Sequence, residues 1–125
     1  MKEFDKLIDS LRKSREKCPW SNERTIEEHA LDLSNEVDEV SIAIKKKDYE
    51  NLKEELGDLL MDLIFVCVIA EEKELFTIKD VVEGVNKKLI RRKPWVFGNE
   101  TVKSKEESVK RWNEIKEEEK KRNTI

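Results

Sequence analysis

Apolar residues recur at helical spacing along most of the chain. A first helix is predicted from Lys2 to Lys17, and the segment Cys18-Pro19-Trp20-Ser21-Asn22 then interrupts the pattern, which we interpret as a loop. A second helix is predicted to begin at the capping pair Thr25 and Glu28 and to end at the lysines of residues 45–47. These signals place two helices in the first third of the chain.

Three further helices are predicted downstream. Asp48 is placed to cap a helix that runs to about Lys73, amphipathic at first and almost wholly apolar from Leu59 to Ala70. Thr77 and Ser104, each with an acid three residues later, predict the starts of the last two helices. No alternating strand pattern or fixed repeat is present. We therefore predict an all-α fold, a bundle of about five helices in one domain spanning residues 1–125.

The apolar run from Leu59 to Ala70 encircles its helix, so neighbours are needed on every side. The other predicted helices each offer a single apolar stripe, and only 37% of the 125 residues are hydrophobic. A second copy of the chain is a direct way to supply the missing cover. We therefore predict a homo-oligomer whose interface includes this helix.

Composition narrows the range of partners. The chain has 26 Lys and Arg against 29 Asp and Glu, and this net charge of −3 lacks the basic excess of proteins that bind nucleic acid. No apolar stretch has the length of a membrane span, and the first residues of the sequence do not have the pattern of a signal peptide. We expect a cytoplasmic protein with no membrane or nucleic-acid partner, in which the two cysteines stay reduced.

Acidic residues border the apolar stripes of the second and third helices. At helical spacing each set falls in a narrow arc beside the core. Asp62 stands out because it interrupts an apolar run, where an unpaired ionised carboxylate costs on the order of several kcal/mol. We expect a positive group near it. The two acidic sets are Asp32, Glu36 and Glu39 on one helix and Glu55, Asp58 and Asp62 on the next.

Two interpretations of these acids are open. They can form a solvated face or pair with Lys and Arg of neighbouring helices, or they can converge on a divalent cation, for which carboxylate oxygens favour Mg²⁺ or Mn²⁺. A di-iron bundle would need Glu-x-x-His on two helices, and the only histidine, His29, follows Ile26 at that spacing. Zinc lacks Cys and His ligands. We assign His29 no role.

Five stretches of the sequence, in order, carry a family resemblance that covers nearly the whole chain. They are Cys18-Pro19-Trp20-Ser21, Ser34-Asn35-Glu36-Val37-Asp38-Glu39-Val40, Glu54-Glu55-Leu56-Gly57-Asp58-Leu59-Leu60, Lys88-Leu89-Ile90-Arg91-Arg92-Lys93-Pro94 with Val96-Phe97-Gly98, and Arg111-Trp112-Asn113-Glu114-Ile115-Lys116. Together they resemble the MazG-like nucleoside triphosphate pyrophosphohydrolases of the all-α NTP pyrophosphatase superfamily. The resemblance implies an enzyme that hydrolyses (deoxy)nucleoside triphosphates to monophosphate and pyrophosphate, and a dimer or dimer of dimers with residues of two subunits near each nucleotide.

The resemblance also implies a Mg²⁺ site, with Mn²⁺ as a possible substitute. Its ligands and catalytic acids would be an E-x-x-E, here Glu36 and Glu39, and an E-x-x-D, here Glu55 and Asp58. The metal would bridge the carboxylates and the triphosphate and lower the pKa of a bound water. Glu39 or Glu55 is our choice for the residue that activates this water.

Six other residues are predicted to bind substrate. By analogy with family positions, Arg91, Arg92 and Lys116 would neutralise phosphate oxygens, and the two arginines also suit a helix C-terminus. Trp20 can stack on a base or pack in the core. The remaining two are Asn35, which can hydrogen-bond water or phosphate, and Asp62.

The chain departs from the MazG-type pattern at two places. Asn35 stands where another Glu usually precedes the E-x-x-E, although Ser34-Asn35-Glu36 resembles the Ser-x-Glu-x-x-Glu of related branches. Lys93-Pro94-Trp95 stands where similar proteins tend to have His-Pro-His. The first departure leaves an alternative function open: a non-catalytic dimer that binds metal and nucleotide and acts as a regulator.

Overall fold

The computed structural model describes residues 1–123, and within that range it contains seven helices and no strand. This confirms the all-α fold. None of these helices has the length and apolar character needed to cross a bilayer. The five long helices are α1 (Lys2–Lys17), α3 (His29–Lys46), α4 (Tyr49–Glu72), α5 (Ile78–Arg92) and α7 (Lys105–Asn123), and the two short ones are α2 (Pro19–Glu23) and α6 (Pro94–Phe97).

Side-chain caps form at two of the predicted helix starts. The Asp48 carboxylate accepts a hydrogen bond from the Asn51 amide at 3.2 Å and caps α4. The Ser104 hydroxyl accepts one from the Glu107 amide at 3.1 Å and caps α7. Both bonds satisfy amide donors that a first helical turn leaves without intrahelical partners.

The capping pair of the second predicted helix closes a turn instead of opening the helix directly. The Glu28 amide donates to the Thr25 hydroxyl at 3.3 Å, and the Thr25 amide donates to the Glu28 carboxylate at 3.2 Å. These reciprocal bonds are those of a capping box. The regular helix α3 nevertheless begins only at His29, after this turn.

The interpretation of residues 18–22 as a loop was wrong, because Pro19 begins the short helix α2. Proline is tolerated in a first helical turn, where its missing amide hydrogen would have had no partner. The same reason applies to Pro94, which ends the pattern of α5 and begins α6. In both places a proline stops one helix and starts another.

The chain divides into two compact units, Met1–Ile78 and a second that begins at Lys79. In the first unit α3 packs along α4, while α1 packs on α2 and α4. That one domain spans residues 1–125 stays a prediction. The core of the first unit consists of Ile8, Leu11, Ile64, Phe65, Val68, Ile69 and Ile78.

The second unit contains α6, α7 and α5 from Lys79 onward. Ion pairs join its elements: Arg91 and Arg92 of α5 both contact Glu119 of α7, and Arg111 of α7 binds Glu100 at 2.8 Å. Ile115 of α7 is buried. Arginine and glutamate side chains therefore carry much of the packing in this unit.

One chain covers only part of the apolar run of α4. Ile64, Phe65, Val68, Ile69 and Ala70 are buried. Leu56, Leu60 and Leu63, which share a face at spacings of four and three residues, stay exposed. The prediction that a second copy covers this apolar face is not tested by a single chain.

Candidate metal centre

The acidic arcs of α3 and α4 meet where these two helices pack. One carboxylate oxygen each of Glu36, Glu55 and Asp58 lies within 4.8 Å of the others. Glu36 comes from α3, and its two neighbours sit one helical turn apart on α4. The spacing read from the sequence therefore brings three of the four predicted ligands together. We call these three residues the acidic cluster.

Glu39, the fourth predicted ligand, is exposed and lies outside the acidic cluster. It is nevertheless close enough to act electrostatically, because its charge contributes to the raised pKa of both Glu36 and Glu55. An exposed glutamate has rotational freedom that the partly buried ligands lack. Glu39 can thus approach a cation held by the other three without being part of the resting arrangement.

The acidic cluster carries negative charge that the protein itself does not compensate. Burial raises the pKa of Glu36, and the charges of Asp58, Asp62, Glu55 and Glu39 raise it further. Burial also raises the pKa of Glu55, with Asp58 next in effect. Within residues 1–123, no lysine or arginine forms an ion pair with any of the four predicted ligands. For these acids, the interpretation as partners of Lys or Arg is therefore wrong, and the solvated face and the cation site are the two interpretations left open.

The donor set suits a hard divalent cation. All ligands in the acidic cluster are carboxylate oxygens, and Oε2 of Glu36 is buried with no hydrogen-bond partner in the described chain. A buried oxygen without a partner costs free energy, which a bound cation would recover. Glu36, Glu55 and Asp58, together with Glu39, are therefore the residues that could hold Mg²⁺ or Mn²⁺.

Asp62 lies one helical turn beyond the acidic cluster on α4. As expected, basic side chains lie close enough to influence its pKa. Burial raises its pKa, while His29 and Arg24 lower it. Arg24 hydrogen-bonds Asp32, the remaining acid of the α3 arc. Asp62 and Asp32 thus differ from the acidic cluster, because the positive charge of Arg24 acts on both.

The side chain of His29 is buried. Its side chain is 1% exposed, its ring centre lies 4.6 Å from that of Phe65, and neither ring nitrogen has a hydrogen-bond partner in the described chain. Burial lowers the pKa of its imidazole.

Trp20 is 62% exposed, so it does not pack within the core of the described chain. The edge of its ring contacts Phe65 with ring centres 6.5 Å apart, and the Arg24 guanidinium lies 4.7 Å from its ring centre. Asn35 is exposed as well. The exposure of Trp20 leaves it able to stack on a planar ligand.

In the second unit, the three cations predicted to bind phosphate line one cavity of about 440 Å³, here called the basic pocket. Arg91 and Arg92 come from α5 and Lys116 from α7. Sequence reasoning missed Lys88, Lys120 and Arg122, although Lys88 with Arg92 and Lys116 with Lys120 show the four-residue spacing of one helix face. The full lining is Lys88, Arg91, Arg92, Lys116, Glu119, Lys120, Arg122 and Asn123.

Comparison with known families agrees with this description. Residues 24–97 match the family described as the MazG nucleotide pyrophosphohydrolase domain. The chain belongs to this MazG family. The matched region contains the acidic cluster, Asp62, Arg91 and Arg92, whereas Lys116 follows it.

Individual MazG relatives match over most of the chain. It is 41% identical over 119 residues to the nucleoside triphosphate pyrophosphohydrolase/pyrophosphatase MazG of Thermotoga maritima, covering 94% of the chain and 45% of that protein. It is 34% identical over 122 residues to the nucleoside triphosphate pyrophosphohydrolase of Escherichia coli K12, covering 95% and 46%. The chain thus spans about half the length of the curated relatives it matches.

A solved structure of a MazG-related protein supports the fold directly. The crystal structure of the mazG-related protein from Thermotoga maritima superposes with a TM-score of 0.78 at 35% sequence identity. The match covers 90% of this chain and 98% of that one. The helical architecture is therefore that of a MazG-family protein.

Proposed function

We propose that this MazG-family protein hydrolyses nucleoside triphosphates with Mg²⁺, releasing a nucleoside monophosphate and pyrophosphate. The observation that carries the proposal is the acidic cluster, whose carboxylates converge without any cationic partner in the described chain. Relatives named as nucleoside triphosphate pyrophosphohydrolases support the same reaction class. An acid group of this kind is of little use to a purely structural bundle.

Glu36, Glu55 and Asp58 would hold the metal, with Glu39 joining them. When bound, Mg²⁺ supplies a Lewis acid for the phosphate oxygens and lowers the pKa of water. Glu55 is one candidate for accepting the proton of the attacking water. Exposed Glu39 is the other candidate for this step.

The basic pocket would bind phosphate oxygens through Arg91, Arg92 and Lys116. Arginine and lysine donate charge-assisted hydrogen bonds to phosphate, and six cations around one cavity favour a ligand with several negative charges. Trp20 would stack on the base, and Asn35 and Asp62 would offer hydrogen-bonding groups. Clearing surplus or non-standard nucleotides in the cytoplasm is the role that fits such a substrate class.

We also propose that the protein is a homo-oligomer, a dimer or a dimer of dimers. The exposed face formed by Leu56, Leu60 and Leu63 supports this. Sedimentation at micromolar concentration should show a species larger than 14.9 kDa. Leu60→Lys should shift the protein toward monomer, because it places a charge in the apolar contact. A monomer at all concentrations would contradict the proposal.

The reaction is tested by incubating the protein with a panel of nucleoside triphosphates and Mg²⁺ in water enriched in heavy oxygen. Attack of water at the α-phosphorus puts the labelled oxygen into the monophosphate, whereas attack at the β-phosphorus puts it into pyrophosphate. We expect label in the monophosphate only. Nucleotide binding without release of either product would support the alternative of a non-catalytic regulator, for which Asn35 is the motivating departure.

A further inference from the structure

The basic pocket contains an acid that weakens its positive field. Glu119 of α7 lines the cavity among six cations. A carboxylate in this position repels phosphate, so electrostatics alone would favour its removal. Its presence therefore calls for a role that outweighs the repulsion.

Glu119 divides its two carboxylate oxygens between two neighbouring arginines. Arg92 donates from Nε and Nη2 to Oε1, at 3.1 and 2.8 Å. Arg91 donates from Nε to Oε2. Among residues 1–123, these bonds leave both terminal nitrogens of Arg91 and Nη1 of Arg92 without a hydrogen-bond partner. One carboxylate thus fixes two guanidinium groups and still leaves N–H donors for an anion.

The contact between Glu119 and Arg92 is largely shielded from solvent, whereas the Arg91 side chain is 46% exposed. The Glu119 side chain is 15% exposed and that of Arg92 is 13% exposed. Trp112 adds a further contact, with its ring centre 5.2 Å from the Arg92 guanidinium carbon. The hydrogen bonds from Arg92 and Arg91 lower the pKa of Glu119 to about 2, so it stays ionised at any working pH.

We propose that Glu119 is a positioning residue that holds Arg91 and Arg92 in the geometry that binds the triphosphate. This inference rests on the proposed phosphate-binding role of the basic pocket. Arginine side chains lose considerable rotational freedom when they are fixed. Because Glu119 fixes both arginines before the ligand arrives, binding avoids that cost, and the benefit exceeds the repulsion from one partly exposed negative charge.

Two variants of Glu119 separate positioning from charge. Glu119→Gln removes the negative charge, so a model based on charge alone expects tighter anion binding. If Glu119 positions the arginines, this variant should bind the anion more weakly, because an amide has one acceptor oxygen and can serve only one of the arginines. Glu119→Asp keeps the charge but shortens the side chain. If only the charge matters, the affinity for the anion should not change, whereas if Glu119 positions the arginines, binding should again weaken.

The measurement is calorimetric titration of the metal-free protein with sodium tripolyphosphate, which has no base and needs no catalysis. We expect each Glu119 variant to bind about tenfold more weakly, the effect of losing one good charge-assisted hydrogen bond. Glu118→Gln is the matched control, because it removes the same charge from an adjacent, 55% exposed side chain that does not line the basic pocket. The control should bind as the unsubstituted protein does, or slightly more tightly.

Kinetics provide a second readout. In the hydrolysis assay the Glu119 variants should raise KM by a similar factor and change kcat less, whereas partial unfolding would lower kcat and leave KM unchanged. If Glu119→Gln does not fold, as judged by its helix content, Glu119→Asp decides the question alone.

The inference is overturned if a folded Glu119 variant binds tripolyphosphate as tightly as the Glu118→Gln control does. It is also overturned if the unsubstituted protein does not bind tripolyphosphate. Neither result bears on the proposed reaction, which the labelled-water assay tests independently.

Discussion

Two groups of acidic side chains, one in each unit of this molecule, occupy opposite environments. In the first unit, Glu36 and Glu55 meet other carboxylates and no cation of the described chain, and their pKa values are raised. In the second, Glu119 and Glu100 meet arginines, and their pKa values are lowered. The same residue type is thus left without a cation in the acidic cluster and is paired with arginine at Glu119 and Glu100. Other acids of the first unit, such as Glu71 and Glu72, are paired with arginines as well.

The difference separates two uses of a carboxylate. An acid whose charge the protein leaves unbalanced is suited to receiving a cation from solution, because binding relieves the repulsion between ligands. An acid that is already paired acts as a structural bridge and gains nothing from a metal. Charge balance around each carboxylate, more than the number of acids, therefore distinguishes a candidate metal site from an ion-pair network.

The largest expected effect comes from removing a ligand of the acidic cluster. Glu55→Gln or Asp58→Asn should lower Mg²⁺-dependent hydrolysis by about 10²–10³-fold, since metal catalysis contributes several kcal/mol and each 1.36 kcal/mol corresponds to about tenfold in rate. Circular dichroism should show unchanged helix content, because these side chains lie at the edge of the core.

The matched control for that substitution is Glu54→Gln, which changes an exposed acid of the same helix outside the acidic cluster. It should keep nearly full activity. Full Mg²⁺-dependent activity in Glu55→Gln would remove the acidic cluster from the mechanism, and with it the contrast between the two units.

Ligand binding should stabilise the protein next most strongly. Mg²⁺ with a slowly hydrolysed nucleotide should raise the free energy of unfolding by about 2.7 kcal/mol at about 100 times Kd. Thermal unfolding followed by circular dichroism measures this shift. Glu36→Gln should reduce the shift, because it removes a ligand from the acidic cluster. A melting temperature that does not respond to Mg²⁺ and nucleotide would contradict a metal site in the folded chain.

Trp20 provides a smaller test, directed at the base of the nucleotide. Trp20→Ala should weaken nucleotide binding about fivefold or more, since a stacked base contributes about 1–3 kcal/mol. Binding of tripolyphosphate should not change, because that probe has no base. Tyr49→Ala is the control, since Tyr49 is another exposed aromatic residue of the first unit. An equal loss of affinity for nucleotide and for tripolyphosphate would mean that Trp20 acts through the stability of the fold and not through stacking on the base.

The smallest expected effects concern the pH dependence of stability, which should have opposite signs for Asp62 of the first unit and Glu119 of the second. Burial raises the pKa of Asp62, so the folded chain binds more protons and loses stability as pH rises from the ordinary carboxyl range to that raised value. Asp62→Asn should remove this penalty and raise the melting temperature at neutral pH.

The Glu119 carboxyl group should make stability depend on pH in the opposite direction. Its pKa is lowered to about 2, so its contribution to stability is present above its ordinary pKa near 4.5 and is lost as pH falls toward 2. Glu119→Gln should therefore melt at a lower temperature near neutral pH and differ less from the unsubstituted protein in acid. Melting curves between about pH 2 and pH 8 measure both variants. The same sign for both would remove the contrast between compensated and uncompensated acids.

Local sequence signals accounted for the helices and for most of the candidate site. The caps at Asp48 and Ser104 and the acidic arcs depend on neighbours three or four residues away, which one helix fixes by its geometry alone. Helix α2 was missed because Pro19 both breaks one helix and suits the first turn of the next. The same proline therefore supports either interpretation of residues 18–22.

The composition of the basic pocket could be predicted only in part. Arg91, Arg92 and Lys116 followed from a family resemblance, but Lys88, Lys120 and Arg122 are three among 26 lysines and arginines. In a chain with so many charges, helical spacing does not select which cations converge. Glu119 likewise gives no local signal, since it ends a run of three glutamates.

By itself, the sequence determined the helical fold and the acids that line the facing sides of α3 and α4, because helical periodicity fixes which residues share a face. Tertiary structure decided the charge balance of each acid: Glu36 is left without a cation, Asp62 stands near His29 and Arg24, and Glu119 binds two arginines. Charge balance depends on distances between residues far apart in the chain and on burial, and both arise only when the helices pack.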